Sequence, residues 1–373
     1  MSQKNIRTLP KGWELKTIAD VCFPKSSNIS QNQLADDDGE YPIFGASGLI
    51  KNVSFYHRET PYLSIVKDGS GFGRITKMDA FTSVIGTLQY ILPNDDVDID
   101  YLYYSLLSVD FKKYVQGAAI PHIYFKDYKN EQFLWMPLSE QQRIVAILDD
   151  AFAKIDKAKA NAEQNLKNAK ELFDSYLQGV FDNGKEIWDE KALEEVCEFR
   201  NGAAHEQHID ENGKFILVNS KFISADGEKF KRTNNALAPL YINDIAFVMS
   251  DVPNGKALAK CFLVDKDNTY SLNQRIGAIK SDVFVPEFLV YQFNRNKFLL
   301  SFNNGENQTN LRKGDILCCP LWVPSKEEQK NIVLQIDTLK SETKKLESIY
   351  EQKIKDLEEL KKSILNKVFN GEL

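Results

Sequence analysis

Residues 144–176 read IVAILDDAFAKIDKAKANAEQNLKNAKELFDSY, and residues 332–364 read IVLQIDTLKSETKKLESIYEQKIKDLEELKKSI. In both stretches the apolar positions recur at alternating intervals of four and three residues. Every position of the first series has its counterpart in the second at one constant offset, 332 − 144 = 188. A spacing of about 3.5 residues is the period of a coiled coil. The sequence therefore predicts two long helices with matched seams, packed antiparallel to each other.

Each predicted seam is mostly apolar, and one equivalent place is polar in both, Asn165 in the first and Lys353 in the second. Such polar positions fix the register of a coiled coil at some cost in stability. The alternative is that each helix packs only on its own globular segment, but ten positions in register exceed what that needs. The predicted apolar seam comprises Ile144, Leu148, Ile155, Leu172, Tyr176, Ile332, Ile336, Leu346, Leu357, Leu360 and Ile364.

The duplication extends beyond the helices. Constant offsets relate single residues of the two halves, 188 − 13 = 175 near the start of each repeat and 329 − 142 = 187 near its end. The matched pairs are Trp13 with Trp188, Cys22 with Cys197, Trp135 with Trp322, and Gln142 with Gln329. A period of this length indicates two domains rather than a solenoid. We expect one globular domain over 1–138, a helix over 139–184, a second globular domain over 185–324 and a second helix over 325–373.

Composition restricts the class of protein. No apolar run of the 373 residues approaches the roughly 18 needed to span a bilayer, and residues 1–10 lack the apolar stretch of a signal peptide. Five cysteines without paired spacing indicate reduced thiols and a cytoplasmic protein. The net charge of −6 is unlike that of most stand-alone nucleic-acid binders, which are basic. Any DNA affinity must therefore come from local patches or from partner subunits.

The two globular segments alternate short apolar runs with Gly, Asn and Asp turns. Residues 63–66 and 245–248 have the composition of strands, and residues 100–107 that of a helix. Each segment is therefore expected to be mixed α/β. The predicted fold class is α+β: two mixed α/β globular domains separated by two long antiparallel coiled-coil helices, in a pseudo-twofold internal repeat.

A glycine-rich loop, residues 67–74 with the sequence KDGSGFGR, lies between two predicted strands of the first segment. It contains neither of the glycine patterns typical of nucleotide-binding loops, GxGxxG and GxxxxGK(S/T). A turn that presents backbone N–H groups and cations to phosphate fits it, and a plain hairpin turn fits it about equally well. The DNA-contact candidates of this segment are Lys67, Ser70, Arg74, Lys77, His122 and Lys126.

The second segment carries an amide-rich stretch, residues 305–313 with the sequence GENQTNLRK. Asn, Gln and Arg carry the paired donors and acceptors that match adenine and guanine edges in the major groove. The alternative is an ordinary solvated loop. The candidates here are Lys256, Arg275, Asn307, Gln308, Asn310, Arg312 and Lys313. Because the corresponding stretch of the first segment is much less polar, the two segments are expected to read different sequences.

Catalytic motifs are missing from the sequence. It has no tetrapeptide typical of an amino-methyltransferase, no Walker pair and no nuclease cluster. His205 and His208 lie three residues apart, which alone is a weak indication of a metal site. We therefore expect a protein without enzymatic activity and without a metal.

Several short stretches together resemble the specificity subunits of type I restriction-modification systems, over essentially the whole chain. Residues 10–14 (PKGWE) and 187–190 (IWDE) are similar to the entries of that family's target recognition domains. Residues 137–145 (PLSEQQRIV), 324–329 (PSKEEQ) and 364–373 (ILNKVFNGEL) are similar to its helical regions.

This resemblance implies a mechanism. Each recognition domain would read one half of a bipartite, asymmetric site in double-stranded DNA, and the helices would act as a ruler that sets the gap. They would also dock two methyltransferase subunits, which bind S-adenosylmethionine and methylate adenine, and motor-nuclease subunits would join for restriction. The chain itself would bind no cofactor. The alternative is a coiled-coil interaction scaffold or an anti-restriction DNA mimic, against which the amide-rich stretch argues.

Overall fold

The computed structural model describes residues 9–117, 119–252, 255–303 and 308–371. The chain forms two compact units. Unit 1 comprises Met1–Gln164 and Tyr350–Leu373, and unit 2 comprises Asn165–Ile349. Both divisions fall inside a long helix, so each unit contains one globular segment and part of each long helix. None of the described helices is long and apolar enough to cross a membrane.

Unit 1 begins with the globular segment that precedes the first long helix. Its elements are β1 (Glu14–Thr17), α1 (Ile18–Val21), β2 (Cys22–Ser26), β3 (Tyr41–Gly45), β4 (Gly48–Val53), β5 (Tyr62–Val66), β6 (Ile75–Met78), β7 (Ser83–Val84), β8 (Leu88–Pro93), α2 (Ile99–Leu107), α3 (Phe125–Tyr128) and β9 (Gln132–Trp135). The helix α4 (Leu138–Gly184) follows.

Unit 2 contains the second globular segment. Its elements are β10 (Asp189–Ala192), α5 (Leu193–Val196), β11 (Glu198–Asn201), β12 (Phe215–Val218), α6 (Ser220–Ser224), β13 (Lys231–Thr233), β14 (Ile245–Val248), β15 (Ser250–Asp251), β16 (Cys261–Leu263), β17 (Tyr270–Leu272), β18 (Ile276–Lys280), α7 (Pro286–Phe293), α8 (Lys297–Leu300), β19 (Thr309–Asn310), α9 (Lys313–Leu317) and β20 (Pro320–Val323). The helix α10 (Lys326–Phe369) ends the series.

The sheets of the two units have matching topology. A four-stranded antiparallel sheet has the order β2-β8-β5-β6 in unit 1 and β11-β18-β14-β16 in unit 2. A three-stranded sheet has the order β4-β3-β7 in one and β13-β12-β17 in the other, each with one antiparallel and one parallel pairing. The first and last strands of each segment also pair, β1 with β9 and β10 with β20. The predicted α+β fold with an internal repeat is confirmed.

Each unit has its own apolar core, which the long helices complete. The central strand β5 is buried at all five positions, as is expected of a strand covered on both faces. In unit 1, Phe152 of α4 and Leu365 and Val368 of α10 belong to the same core cluster as α2. In unit 2, Phe181 near the end of α4 packs against the ring of Phe288, with centroids 5.5 Å apart.

The long helices run antiparallel to each other within each unit. In unit 1, Lys159 pairs with Glu358 at 2.6 Å and Asp156 with Lys361 at 2.8 Å, so residue numbers rise along one helix as they fall along the other. In unit 2, the hydroxyl of Tyr176 donates to Gln335 across 2.9 Å. These exposed contacts contribute little stability individually. They do define the register of the pair.

The helices bury a face that drifts relative to the strict heptad. Ile144, Leu148, Ile155 and Ile336 are buried, and Tyr176, Ile332, Leu357 and Ile364 are partly buried. The other three seam candidates are exposed: Leu172 at 49%, Leu346 at 38% and Leu360 at 47%. A straight helix of 3.6 residues per turn drifts by about 20° per heptad from a 3.5-residue repeat. The buried line therefore passes from Leu172 to Phe173 and from Ile364 to Leu365.

A buried glutamine joins each globular segment to the start of its helix. Gln141, 0% exposed, donates to the carbonyls of Asp96 and Met136 at 3.0 and 2.7 Å and accepts from the N–H of Asp98 at 2.8 Å. Gln329, also 0% exposed, makes the same three bonds in unit 2. Its partners there are Val283, Val285 and Pro324. The sequence match of Gln142 to Gln329 was therefore wrong by one position, because the contacts follow the helix offset of 188.

Candidate nucleic-acid interface

A short chain of backbone hydrogen bonds assembles the predicted loops of unit 1. Strand β5 ends at Val66, and the next N–H, of Lys67, donates to the carbonyl of Thr87 at 3.0 Å. The carbonyl of Lys67 accepts from the N–H of Ile123 at 2.9 Å. Asp68 then pairs with His122 in an antiparallel bridge. The glycine-rich loop and the segment before α3 thus form one surface.

Unit 2 repeats this arrangement after β14. The N–H of Met249 donates to the carbonyl of Arg275 at 3.1 Å, and the carbonyl of Met249 accepts from Leu311 at 2.8 Å. Ser250 then pairs with Asn310 in β15 and β19. We call residues 67–69 with 121–123 the bridge of unit 1, and residues 249–251 with 309–311 the bridge of unit 2.

The two bridges have the same register. Asp68 and Ser250 differ in residue number by 250 − 68 = 182, and Lys67 and Met249 differ by the same amount. For His122 and Asn310 the difference is 310 − 122 = 188, the offset of the following helices. Each bridge precedes a short helix, α3 in unit 1 and α9 in unit 2. Equivalent backbone positions therefore present different side chains.

The candidates of the glycine-rich loop are only partly free. Ser70 is exposed on the turn, and the ammonium of Lys67 lies 3.6 Å from the carboxylate of Asp68. The guanidinium of Arg74 donates to the carbonyl of Ala46. Loop residues with these donors can contact phosphate from the bridge of unit 1.

Lys77, the fourth candidate of this part of the chain, is engaged by α2 rather than presented at the bridge. It lies on β6, where its ammonium forms an ion pair of 2.7 Å with Asp100 of α2. The hydrogen bond to Asp100 raises the pKa of Lys77. The ammonium also lies 5.4 Å from the ring centroid of Tyr103. These contacts account for Lys77 as part of the packing between β6 and α2.

The segment before α3 adds an aromatic residue that the sequence analysis missed. Tyr124 is 40% exposed, its ring centroid lies 5.0 Å from that of His122, and the ammonium of Lys126 lies 5.1 Å above it. An exposed aromatic beside two basic side chains is the signal that could have identified it, because aromatic rings and cations both suit nucleic-acid surfaces.

The amide-rich stretch of unit 2 forms the edge of its bridge. Gln308 and Asn310 are exposed, whereas Thr309 between them is buried. Since side chains alternate along a strand, the two amides lie on one face. The amide of Gln308 donates to the hydroxyl of Ser250 at 2.7 Å. Asn307 lies outside the described residues.

A carboxylate that the sequence analysis missed organises the loop that carries Lys256. The side chain of Asp251 accepts backbone N–H bonds from Val252, Ala257 and Leu258 at 2.9, 2.7 and 3.1 Å. Lys256 itself is exposed. Because Asp251 belongs to β15, it ties this loop to the bridge. The Asp-x₃-Gly spacing was visible in sequence but does not by itself indicate these bonds.

Exposed cations lie near each bridge, one in unit 1 and four in unit 2. Within the described parts of the chain, no carboxylate forms an ion pair with any of five exposed candidates. They are Lys126, Lys256, Arg275, Arg312 and Lys313. Unpaired cations beside amides and an aromatic are the residue types that contact phosphates and base edges. The local surface can thus bind a polyanion although the chain has a net charge of −6.

The two histidines three residues apart have separate partners. His205 is buried and its Nε2 lies 2.9 Å from the hydroxyl of Ser271, whereas Nδ1 of His208 lies 3.2 Å from the amide of Asn235. No cluster of three potential ligands suited to a metal ion occurs among the described residues.

Comparison with known proteins places this geometry in context. The family model for the type I restriction modification DNA specificity domain matches the chain twice, over residues 10–168 and 185–358. The chain is 26% identical over 161 residues to the type I restriction enzyme EcoDI specificity subunit of Escherichia coli. That match covers 42% of the chain and 35% of the relative, so it spans about a third of the relative's length.

Two solved structures have a similar fold. One belongs to a study of complex assembly and conformational transition in the type I R-M system, with a TM-score of 0.77, 16% identity and coverage of 98% of this chain and 100% of that one. The other is the HsdS subunit from Thermoanaerobacter tengcongensis, with a TM-score of 0.61, 15% identity and full coverage of both chains.

Proposed function

The chain belongs to the type I restriction modification DNA specificity family, and we propose that it reads a bipartite, asymmetric DNA site as the recognition subunit of a methyltransferase complex. Each unit would read one half-site through its bridge. The chain would supply recognition, and the methyltransferase subunits would supply the chemistry and bind S-adenosylmethionine.

The observation that carries this proposal is the pair of bridges. Their backbone register is the same, but Asp68 and His122 in one correspond to Ser250 and Asn310 in the other. Side chains with different donors and acceptors read different base edges. A repeated frame with unlike readers is what a split, asymmetric site requires.

The long helices support a role as a ruler. Helix α4 has 47 residues and α10 has 44, so at 1.5 Å per residue each spans about 65–70 Å. That length corresponds to about 20 base pairs at 3.4 Å each, enough for two half-sites about one turn apart and the spacer between them. We infer that the helix pair sets the length of the unspecified gap.

The helices also offer surface for methyltransferase subunits. Ile147, Leu334 and Ile349 are exposed by 49%, 67% and 58%, although they belong to helices whose other apolar residues are mostly covered. Exposed aliphatic side chains of this kind suit protein interfaces. Docked partners would also supply phosphate contacts that an acidic chain lacks, and motor-nuclease subunits would join for restriction.

The proposal is tested by co-expressing the chain with a type I methyltransferase subunit and mapping methylated adenines in the host DNA. We expect one bipartite motif, absent when the methyltransferase subunit is expressed alone. A continuous motif, or one that does not depend on the chain, contradicts the proposal. Inhibition of methylation without a new motif would instead indicate the DNA mimic.

The ruler is tested by inserting seven residues into both helices, after Gln164 and after Ile349. Seven residues are nearly two full turns and add about 10 Å, or about three base pairs, with little change of helical phase. We expect the gap to lengthen by about three base pairs while both half-sites stay the same. A changed half-site with an unchanged gap would contradict the ruler.

A further inference from the structure

The shared register of the bridges identifies one equivalent position in each unit, partly exposed in unit 1 and exposed in unit 2. His122 and Asn310 are equivalent by backbone pairing and by the helix offset, as shown above. Each is followed by a buried residue, Ile123 or Leu311, that anchors it to the central sheet. A side chain on a paired backbone segment that a buried neighbour anchors is pre-positioned for base recognition, since rigid elements place functional groups more accurately than loops do.

The side chain of Asn310 is available for a bidentate contact. It is exposed, and its amide has no hydrogen-bond partner among the described residues. Its neighbour on the same face, Gln308, has one donor engaged by Ser250, and among the described residues no donor engages its oxygen. An asparagine amide with both a free donor and a free acceptor matches N7 and N6 of adenine in the major groove.

The surroundings of Asn310 suit a base rather than a phosphate contact at this position. Arg312 and Lys313 follow it at the start of α9, and the backbone of Arg275 joins the same hydrogen-bond chain. These cations can contact the phosphates on either side and fix the register of the duplex. The uncharged amides between them are then left to read sequence.

The equivalent residue of unit 1 has a different pattern. Nδ1 of His122 lies 3.2 Å from the carbonyl of Ile120, and because a carbonyl oxygen only accepts, this nitrogen donates. In the neutral ring Nε2 is then an acceptor, and Asp68 opposite it also only accepts. With a neutral His122 ring, unit 1 therefore presents acceptors where unit 2 presents a donor and an acceptor together.

We propose that His122 and Asn310 are the equivalent base-reading positions of the two units, and that Asn310 reads an adenine in the half-site of unit 2. This inference rests on the proposed function. His122 would read an amino group of cytosine or adenine in the other half-site.

The test uses the full methyltransferase complex and a duplex library randomised at one position of each half-site at a time. The duplexes methylated by the wild-type, Asn310→Ala and His122→Ala complexes are identified by sequencing. We expect Asn310→Ala to lose about tenfold to a hundredfold discrimination at a single A·T pair in one half-site. His122→Ala should relax one position in the other half-site only.

Each variant carries its own control, because the half-site that the other unit reads should stay unchanged. Asn212→Ala, an exposed asparagine in the turn before β12, should leave both half-sites unchanged. The inference is overturned if Asn310→Ala loses discrimination at a G·C pair instead of an A·T pair. It is also overturned if discrimination is lost in both half-sites, or in neither. A wild-type complex without a bipartite motif would instead overturn the proposed function.

Asn310→Asp separates loss of reading from loss of folding, because aspartate has the same size but only accepts. This variant should melt at the wild-type temperature and lose its preference at the same A·T pair. Retained preference for adenine in the folded Asn310→Asp complex would also overturn the inference.

Discussion

Unit 1 and unit 2 have the same bridge register and different bridge side chains. The contacts that hold each segment on its helix are duplicated instead: Gln141 and Gln329 make the same three bonds. Tyr104 donates to Asp149 in unit 1 as Tyr291 donates to Asp337 in unit 2. The repeat is thus strict where each segment contacts its helix and loose at the bridges.

This difference has a physical cause. A buried polar group that loses its partner costs the free energy of its desolvation, so the contacts that satisfy it tolerate little change. An exposed side chain on the same backbone can be replaced at almost no cost in stability. The bridges can therefore diverge in sequence without a change in the frame that holds them.

The largest effect is expected from substitutions that remove the duplicated glutamine contact. Gln141→Ala and Gln329→Ala each leave three backbone groups without their side-chain partner, one in a buried bond and two in partly buried ones, so we expect each to destabilise its own unit by about 3 kcal/mol. Urea unfolding, with hydrogen exchange to assign the loss to a unit, measures this. Gln142→Ala, at the exposed neighbour, should change stability by less than about 0.5 kcal/mol. An equal effect of Gln142→Ala and Gln141→Ala would refute the assignment.

A second pair of substitutions tests whether the three-stranded sheets of the two units match as closely as the glutamine contacts do. A Cβ at Gly39 would lie 2.1 Å from the carbonyl oxygen of Val53, and one at Gly213 would lie 2.5 Å from the carbonyl carbon of Thr233. Because backbone cannot yield as a side chain can, Gly39→Ala and Gly213→Ala should each cost about 2 kcal/mol. Thermal unfolding measures it. Gly314→Ala, with open space around it, serves as the control, and a comparable loss there would show that the clash is not the cause.

A third prediction separates the units by pH. Burial raises the pKa of Cys22 in unit 1, and of Cys197 and Cys319 in unit 2, to about 12 in each case. Burial also raises the pKa of Cys261 in unit 2. The folded thiol keeps its proton while the unfolded one ionises near pH 9, so stability is lost as pH rises above 9. Between pH 9 and pH 10 each of these thiols should lower the free energy of unfolding by about 1 kcal/mol.

Since unit 2 has more thiols with a raised pKa, it should lose more stability over this pH range than unit 1. Pulse proteolysis in urea at pH 9 and pH 10, with fragments assigned by mass spectrometry, measures both units together. Cys319→Ala should bring the pH dependence of unit 2 closer to that of unit 1. An unchanged dependence in this variant would contradict the prediction.

The smallest effect concerns the helices. Gly179 of α4 corresponds to Lys367 of α10, since 367 − 179 = 188, and a Cβ at Gly179 would meet no atom within 4 Å. Because glycine is unfavourable inside a helix, Gly179→Ala should stabilise the chain by about 0.8 kcal/mol. Lys367→Gly should destabilise it by a similar amount, and calorimetry measures both. A loss of stability in Gly179→Ala would show that the two helices are not equivalent at this position.

Much of the candidate site was predicted from sequence, but as separate loops. Ser70, Gln308 and Asn310 lie on or beside the bridges, whereas Lys77 is engaged by Asp100. Tyr124 and Asp251 were missed because their roles depend on tertiary contacts, such as the ammonium above the ring of Tyr124. Periodicity and composition report local preferences, and they do not report how a folded segment arranges its side chains.

The amino-acid sequence by itself determined the internal repeat, the two long helices and the mixed α/β class, because heptad spacing and strand patterns are properties of neighbouring residues. Only the tertiary structure decided that the face each helix buries drifts from the strict heptad, and that Gln141 rather than Gln142 is the counterpart of Gln329. It alone placed His122 and Asn310 at one equivalent position. That equivalence depends on backbone hydrogen bonds between segments far apart in the chain, which no local pattern encodes.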